Sequence, residues 1–172
     1  PFLSGRATEQ IKADVAYSNF PVVLCAMSPG VSYGELGPTH HSIEDFAWMR
    51  AISNMVVMAP VDPKQTRDAL HWAAKAGQPT YMRIGRFKIP AVTPETQTFA
   101  PGQADLLRNG KDVTLIGIGT MVSRALDAAE MLAKEGILLS PDACASRGGE
   151  IVRDLTERDF ASLKGREEGR PL

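Results

Sequence analysis

The sequence predicts an α/β protein: a mostly parallel sheet flanked by helices, followed by the beginning of a second α/β domain. Two observations support this prediction. Short, nearly continuous apolar runs at residues 21–27 and 55–59 are typical of strands that are buried on both faces of a parallel sheet. Segments with helical spacing lie between these runs and a third predicted strand at residues 80–84. Such alternation of strands and helices favours parallel pairing.

The first of these elements is a helix. Apolar residues recur at helical spacing over residues 5–19, which predicts one amphipathic helix before the first strand. Residues 28–41 are rich in Gly, Pro and Ser and are predicted to form a loop after that strand. Ser42 is then predicted to cap the helix that leads to the second strand.

The clearest helix-start signal follows the second strand. Asp62 is predicted to be the N-cap residue, Pro63 suits the first helical position, and Gln65 completes a capping box. Gly77 is predicted to end this helix, because glycine adopts the left-handed conformation of a C-terminal cap without steric cost. The third predicted strand begins directly afterwards.

The chain divides into two domains at a proline-containing segment. Residues 1–90 are predicted to form the first domain, and residues 91–103 a linker. A strand–turn–helix pattern begins the second domain, predicted over residues 104–139. Residues 140–172 are richer in charge and are expected to form a divergent tail. One amphipathic helix is possible there over residues 151–163.

Composition excludes several functional classes. The 19 basic and 20 acidic residues nearly cancel, so no charged field indicates nucleic acid as a partner. Apolar runs are too short for a membrane span, and the N-terminal segment has no signal-peptide pattern. Cys25 lies in an apolar run and is expected to be a small buried hydrophobe. Reduced cysteines and a cytoplasmic location are therefore expected.

Two adjacent histidines, His40 and His41, stand out in the predicted loop. They follow a Gly-Pro turn at the carboxyl end of a strand, which is where open α/β sheets bind ligands. An imidazole in this position can donate a hydrogen bond to a substrate oxygen, or accept one from it, near neutral pH. Both rings could instead cap the following helix or pack beneath it. Position alone leaves both interpretations open.

Several motifs carry a resemblance to a known family. GRATEQIKADVAY, GVSYGELGPTHHSIEDFAWMRAI, NMVVMAPVDPKQ and PTYMRIGR occur in the order and at the separations found in the pyrimidine-binding domain of transketolases. The later stretch GQADLLRNGKDVTLIGIGTMVSRALDAAEMLAKEGI resembles the start of the transketolase C-terminal domain. The GE-x-GPTH loop favours the split transketolases, which consist of two short chains.

This resemblance implies a thiamin-diphosphate-binding fold and a transferase activity. Such enzymes move a two-carbon ketol unit between sugar phosphates, and the cofactor supplies the carbanion chemistry. The pyrimidine domain holds the aminopyrimidine ring of the cofactor. A partner domain or subunit holds the diphosphate through Mg or Ca, so no metal ligand is expected in this chain.

The resemblance also assigns roles to individual residues. His40 matches the catalytic histidine of the GPTH motif, which hydrogen-bonds the substrate as charge develops. Arg86 matches an arginine that binds the sugar phosphate, a group that a guanidinium fork suits. His41 and Ser28 fall at substrate-binding positions. Many relatives carry a third active-site histidine at the position of Ser28, which puts the usual range of substrates in doubt.

Further assignments concern the cofactor and the sugar. Arg6 and Gln10 lie on the predicted helix that lines the pyrimidine pocket and are expected to bind the cofactor. Relatives place a stacking aromatic residue at the position of Thr8, so the contact with the ring is expected to be weaker here. Leu36 occupies the position of an aspartate that contacts a substrate hydroxyl in relatives, which leaves the sugar undetermined.

The resemblance finally implies an incomplete chain. The glutamate that activates the cofactor lies upstream of these motifs in relatives, so the chain is expected to be incomplete at both ends and inactive without a partner. A homo- or hetero-oligomer is expected. Alternatives are a non-catalytic scaffold of the same fold, or part of a deoxyxylulose-phosphate synthase or of a 2-oxoacid dehydrogenase β subunit.

Overall fold

The first sheet contains three parallel strands, as the sequence predicts. They are β1 (Val23–Met27), β2 (Val56–Met58) and β3 (Thr80–Ile84), in the order β1-β3-β2. The structure is a computed structural model that describes residues 1–147, with side chains described to residue 138. The central position of β3 places the carboxyl ends of β1 and β3 side by side.

A second sheet follows, made of β4 (Ala104–Leu106), β5 (Val113–Gly117) and β6 (Leu139–Arg147). β6 lies between the other two strands, parallel to β5 and antiparallel to β4. The predicted tail therefore begins with a strand, which local sequence did not indicate because its pairing partners lie far away along the chain. The predicted helix over residues 151–163 lies outside the described residues.

The helical segments follow the predicted order. They are Phe2–Arg6, α1 (Thr8–Gln10), Ile11–Ala16, α2 (Asp45–Ala51), α3 (Pro63–Ala76) and α4 (Met121–Lys134). The predicted N-terminal helix is thus three successive segments, of which the first and third are π-helical. None of the described helices is long and apolar enough to cross a membrane.

Helix α3 begins and ends as predicted. The Asp62 carboxylate accepts a hydrogen bond from the backbone N–H of Gln65 at 2.8 Å, and the Gln65 side chain accepts one from the N–H of Val61 at 3.0 Å. The first bond satisfies a donor that the first helical turn leaves unpaired, and the second satisfies the N–H of the residue just before the N-cap. Gly77 ends the helix with φ 68°, in the left-handed region.

Asp62 also fixes the segment that follows the first domain. Its second carboxylate oxygen accepts hydrogen bonds from the N–H groups of Val92 and Thr93 at 2.8 and 2.7 Å. Burial raises the pKa of this carboxyl, but the backbone donors lower it by more, so the pKa of Asp62 lies below its usual value. One buried carboxylate therefore connects α3 to the predicted linker.

The core lies on both faces of the first sheet because alternate strand residues point in opposite directions. Val57 and Tyr81 pack with Ile11 and Met49, against the N-terminal helical segments and α2. A second cluster, made of Val56, Met58, Ala69, Ala73 and Met82, packs beneath α3. These two layers hold the strand ends and the loop after β1 in fixed positions.

Close packing of the N-terminal segment on α2 requires a glycine. A Cβ atom at Gly5 would lie 2.8 Å from Cζ3 of Trp48, closer than such atoms approach. The absence of a side chain therefore lets the first helical segment lie directly on the ring of Trp48. This contact brings Phe2 and Ser4 next to the strand ends.

Two local predictions were wrong. Cys25 is exposed, because β1 lies at one edge of the described sheet and only part of its surface is covered. Ser42 does not cap α2, which begins at Asp45 with Glu44 as the N-cap residue and no capping side-chain hydrogen bond. Instead, Ser42 forms a backbone bridge with Gly30 that closes the loop after β1.

Candidate functional site

A cavity of about 260 Å³ opens at the carboxyl end of β1. The N-terminal helical segment forms one wall and the loop after β1 forms another. Its lining includes the aromatic side chains of Phe2, Tyr33 and Tyr81 beside His40. Its position agrees with the expectation that ligands bind outside the carboxyl ends of parallel strands.

His40 stands on the wall of this cavity. The turn that carries it contains Gly37 at φ 72°, and the His40 N–H donates to the Gly37 carbonyl at 3.0 Å. The imidazole is half-buried, with the edge of Phe2 against it at 5.1 Å between ring centroids and Tyr33 at 5.7 Å. Nδ1 lies 3.0 Å from the hydroxyl of Thr39. The ring is thus held in place while it borders the open cavity.

Arg86 follows the end of β3 and lies beside this cavity without lining it. Its guanidinium carbon lies 3.7 Å from the centroid of the Tyr33 ring, and Nη1 lies 3.5 Å from the hydroxyl of Ser28. Ser28 itself has φ 64°, a left-handed conformation that costs energy for a residue with a side chain. Arg86 itself lines a second cleft of about 290 Å³, together with Lys88.

A buried polar network forms the floor of the cavity. The Tyr81 hydroxyl donates to Oδ2 of Asp45 at 2.8 Å, and Nε of Arg83 lies 3.1 Å from the same oxygen. Burial raises the pKa of Tyr81 well above its usual value, and the charge of Asp45 raises it further. The phenol therefore stays protonated, and Arg83 also donates to the Ser42 carbonyl at 3.2 Å. This network fixes the base of the His40 loop.

Three further predicted site residues, Arg6, Gln10 and His41, also lie outside the cavity lining. Arg6 is exposed, with its guanidinium carbon 4.9 Å from the ring centroid of Phe2, and Gln10 is exposed on the same helical region. His41 does not line the cavity, and its buried Nε2 has no hydrogen-bond partner among the described residues. The structure therefore brings His40, Ser28 and Arg86 close to one another. Arg6, Gln10 and His41 are not part of this group.

Sequence reasoning missed three contributors to the site. Phe2 and Tyr33 border the imidazole, and Asp45 lies beneath it with Oδ1 buried and without a partner among the described residues. An aromatic residue in a loop rich in Gly and Pro was a usable signal for Tyr33. Phe2 and Asp45 carry no comparable local signal, because only the tertiary fold brings them to the cavity.

Metal binding was assigned to a partner rather than to this chain. Among the described residues, no group of three or more His, Cys, Asp or Glu side chains could hold a metal ion.

The parallel sheet and the cavity at its carboxyl end define an α/β protein with an open cavity at the ends of its strands. The family model of the transketolase pyrimidine-binding domain matches residues 1–91, more than half of the chain. The chain belongs to this family. The model of the transketolase C-terminal domain matches residues 102–140.

Individual relatives agree with this assignment. An apulose-4-phosphate transketolase subunit from Actinobacillus succinogenes is 40% identical over 137 residues, which cover 80% of this chain and 44% of the relative. A 1-deoxy-D-xylulose-5-phosphate synthase from Syntrophus aciditrophicus is 40% identical over 134 residues, covering 77% of this chain and 20% of the relative. The chain thus spans less than half the length of either relative.

A solved structure shows the same architecture. It is a split gene transketolase described as an inactive beta4 tetramer, with a TM-score of 0.70 and 38% sequence identity. The match covers 84% of this chain and 44% of that chain. The predicted fold class and the predicted family are both confirmed.

Proposed function

We propose that this chain forms the pyrimidine-binding part of a thiamin-diphosphate-dependent transketolase. The assembled enzyme transfers a two-carbon ketol unit between sugar phosphates and requires a partner domain or subunit. The observation that carries this proposal is the position of Tyr33, which lines the cavity with His40 and contacts Arg86 beside it, in a chain of this family. Phosphorylated sugars cannot cross membranes unaided, so we place the enzyme in the cytoplasm.

The cavity suits the aminopyrimidine part of the cofactor. An aminopyrimidine has apolar faces and a polar edge, and the cavity offers the rings of Phe2 and Tyr33 together with the hydroxyl of Ser4. The unpartnered Oδ1 of Asp45 adds a buried acceptor at the floor. Phe2 and Tyr33 would hold the ring, and the bound cofactor would supply carbanion stabilisation. The partner would supply the metal, and the roles of Arg6 and Gln10 stay predictions.

His40 is suited to polarise a substrate oxygen. When the Thr39 hydroxyl donates to Nδ1, the neutral imidazole carries its proton on Nε2 and can donate from that atom. A donor fixed in this way stabilises negative charge that develops on a carbonyl or hydroxyl oxygen. Packing between Phe2 and Tyr33 keeps the ring from turning away.

Arg86 is suited to bind the phosphate of the sugar. Replacement of Arg86 by Gln is expected to raise KM for a phosphorylated donor about tenfold to a hundredfold, because charge-assisted hydrogen bonds are lost. The value of kcat should change little. Steady-state kinetics of ketol transfer measure both constants. The matched control is Arg67→Gln, which changes an exposed arginine on α3. Equal KM values for the two variants would remove the phosphate role.

The proposal is tested by reconstitution. The chain, preceded by the glutamate-bearing upstream segment of a split transketolase relative, is mixed with the diphosphate-binding subunit of that relative, thiamin diphosphate and Mg²⁺. Ketol transfer from xylulose 5-phosphate to an aldose phosphate is then measured. We expect transfer that depends on both chains. A partner that is active with its own pyrimidine-binding chain, yet inactive with this one, would contradict the proposal.

A second candidate is a deoxyxylulose-phosphate synthase. The relative from Syntrophus aciditrophicus supports it, because its sequence identity equals that of the apulose-4-phosphate transketolase relative. The same reconstituted sample distinguishes the two functions when pyruvate and glyceraldehyde 3-phosphate replace the sugar pair. Release of CO₂ from pyruvate without ketol transfer would favour the synthase.

A further inference from the structure

We propose that Tyr33 is a positioning residue that couples the phosphate-binding group Arg86 to the imidazole of His40. This inference rests on the proposed function, since it assigns the spacing between those two groups to one aromatic ring. Tyr33 would thereby help to select substrates that carry a phosphate at a defined distance from the reacting carbonyl.

The geometry places Tyr33 between the two groups. Its ring centroid is 3.7 Å from the guanidinium carbon of Arg86 and 5.7 Å from the centroid of the His40 ring. The first distance is that of a close cation–π contact, which attracts the guanidinium to the ring face. The two aromatic planes are tilted by 49°. One side chain thus touches both functional groups.

Arg86 depends on this ring for its position. The side chain is exposed, and its hydrogen bond to the Ser28 hydroxyl is long, at 3.5 Å. The ring of Phe87 is more distant than that of Tyr33, with its centroid 6.0 Å from the guanidinium carbon. A flexible arginine with no other support would lose much conformational freedom on binding an anion. The stacked ring orders the guanidinium in advance, so less freedom is lost when phosphate binds.

Tyr33 is itself held by the backbone of its loop. Its carbonyl accepts a hydrogen bond from the N–H of Leu36 at 3.2 Å, which closes the short turn over Gly34–Leu36. The same loop then leads through Gly37 to His40, so the ring and the imidazole belong to one constrained segment. A movement of the Arg86 guanidinium against the Tyr33 ring is therefore expected to change the position of the His40 imidazole.

The spacing has a consequence for specificity. For a substrate whose phosphate binds Arg86 and whose carbonyl lies at His40, the Tyr33 ring would set the distance between the two protein groups. Loss of the ring should weaken the preference for phosphorylated over unphosphorylated sugars. It should not abolish the chemistry, because Tyr33 supplies no proton and no charge to the reacting atoms in this arrangement.

The experiment uses the full 172-residue chain, isotope-labelled for NMR, and inorganic phosphate as the probe. Phosphate is titrated into the wild type, Tyr33→Leu, Tyr33→Phe and Arg86→Gln. The Nε–H resonance of Arg86 reports binding in the three proteins that keep this residue, and the Cε1–H resonance of His40 reports the phosphate response in all four. Dispersed backbone resonances from the core confirm that each variant is folded.

We expect Tyr33→Leu to weaken phosphate binding roughly fivefold, the range of an exposed cation–π contact. The phosphate-dependent shift at His40 should disappear in that variant. Tyr33→Phe keeps the ring and should retain both properties within about twofold. If Tyr33 only stabilised the fold, a folded Tyr33→Leu variant would keep its phosphate affinity and the phosphate-dependent shift at His40.

The outcomes separate this inference from the proposed function. If Arg86→Gln abolishes the phosphate response while Tyr33→Leu binds like the wild type, the positioning role is wrong and the phosphate role of Arg86 stands. If Arg86→Gln responds like the wild type, the phosphate role and the positioning role are both wrong. Should Tyr33→Leu fail to fold, NOEs of the wild type decide: contacts from Tyr33 to Arg86 and His40 must persist with phosphate bound, and their loss overturns the inference.

Discussion

His40→Ala is expected to lower kcat for ketol transfer by a factor on the order of 100 to 1,000 in the reconstituted enzyme. The ring is the one imidazole on the cavity wall among the described residues, and it is held there by Phe2 and Tyr33. Loss of a fixed donor removes stabilisation of charge in the transition state and leaves ground-state binding largely intact. KM for the donor sugar should therefore change much less than kcat.

The matched control for this variant is His71→Ala. His71 is exposed on α3 and touches neither the cavity nor the network beneath it. Stopped-flow or coupled assays at saturating donor measure kcat for both variants. His40→Gln should recover part of the activity, because an amide can still donate a hydrogen bond. If His40→Ala and His71→Ala are equally active, His40 has no part in the reaction.

Asp62→Ala is expected to lower the free energy of unfolding by about 3 kcal/mol. Loss of the cap of α3 accounts for about 1 kcal/mol. The N–H groups of Val92 and Thr93 also lose their acceptor, and donors left without one in the folded state cost about 1–3 kcal/mol more. Urea denaturation at a fixed protein concentration measures the change. Asp127→Ala is the control, since its exposed ion pair with Arg124 should contribute less than about 1 kcal/mol.

The effect of Asp62 should depend on pH in a defined direction. Its pKa is lower in the folded chain than in the unfolded chain. The contribution of Asp62 to the free energy of unfolding is therefore complete above its pKa in the unfolded chain, about 3.9. That contribution is lost as the pH falls through the lower pKa of the folded chain. The unfolding free energies of the wild type and of Asp62→Asn should converge as the pH falls below about 4. A difference that stays constant or grows on acidification would show that the carboxylate charge is not what stabilises this junction.

Local sequence determines much of the first domain. The Asp-Pro-x-Gln pattern predicts the start of α3 because capping uses side chains only a few residues apart. The bounds of β3 agree with the predicted strand, and Gly77 separates the two elements as expected. These features depend on short-range hydrogen bonds and on backbone conformation, both of which a few adjacent residues decide.

Features that depend on contacts between residues far apart along the chain were harder to predict from the sequence. An apolar run predicts a strand but not its place in the sheet, so the exposure of Cys25 could not be foreseen. The strand β6 has little apolar periodicity and is defined by its partners β4 and β5. At the candidate site, the predictions for His40 and Arg86 came from motifs. Phe2 was not found, because its contribution arises only when the N-terminal segment packs on α2.

The backbone of Ser28 has a consequence for how this protein can change. A side chain in the left-handed region costs roughly 1–2 kcal/mol that glycine would not. Selection for stability alone would therefore favour glycine at position 28. Glycine would remove the hydroxyl that lies 3.5 Å from Nη1 of Arg86. At Ser28, keeping a hydroxyl beside the cavity thus lowers the folding stability of the domain.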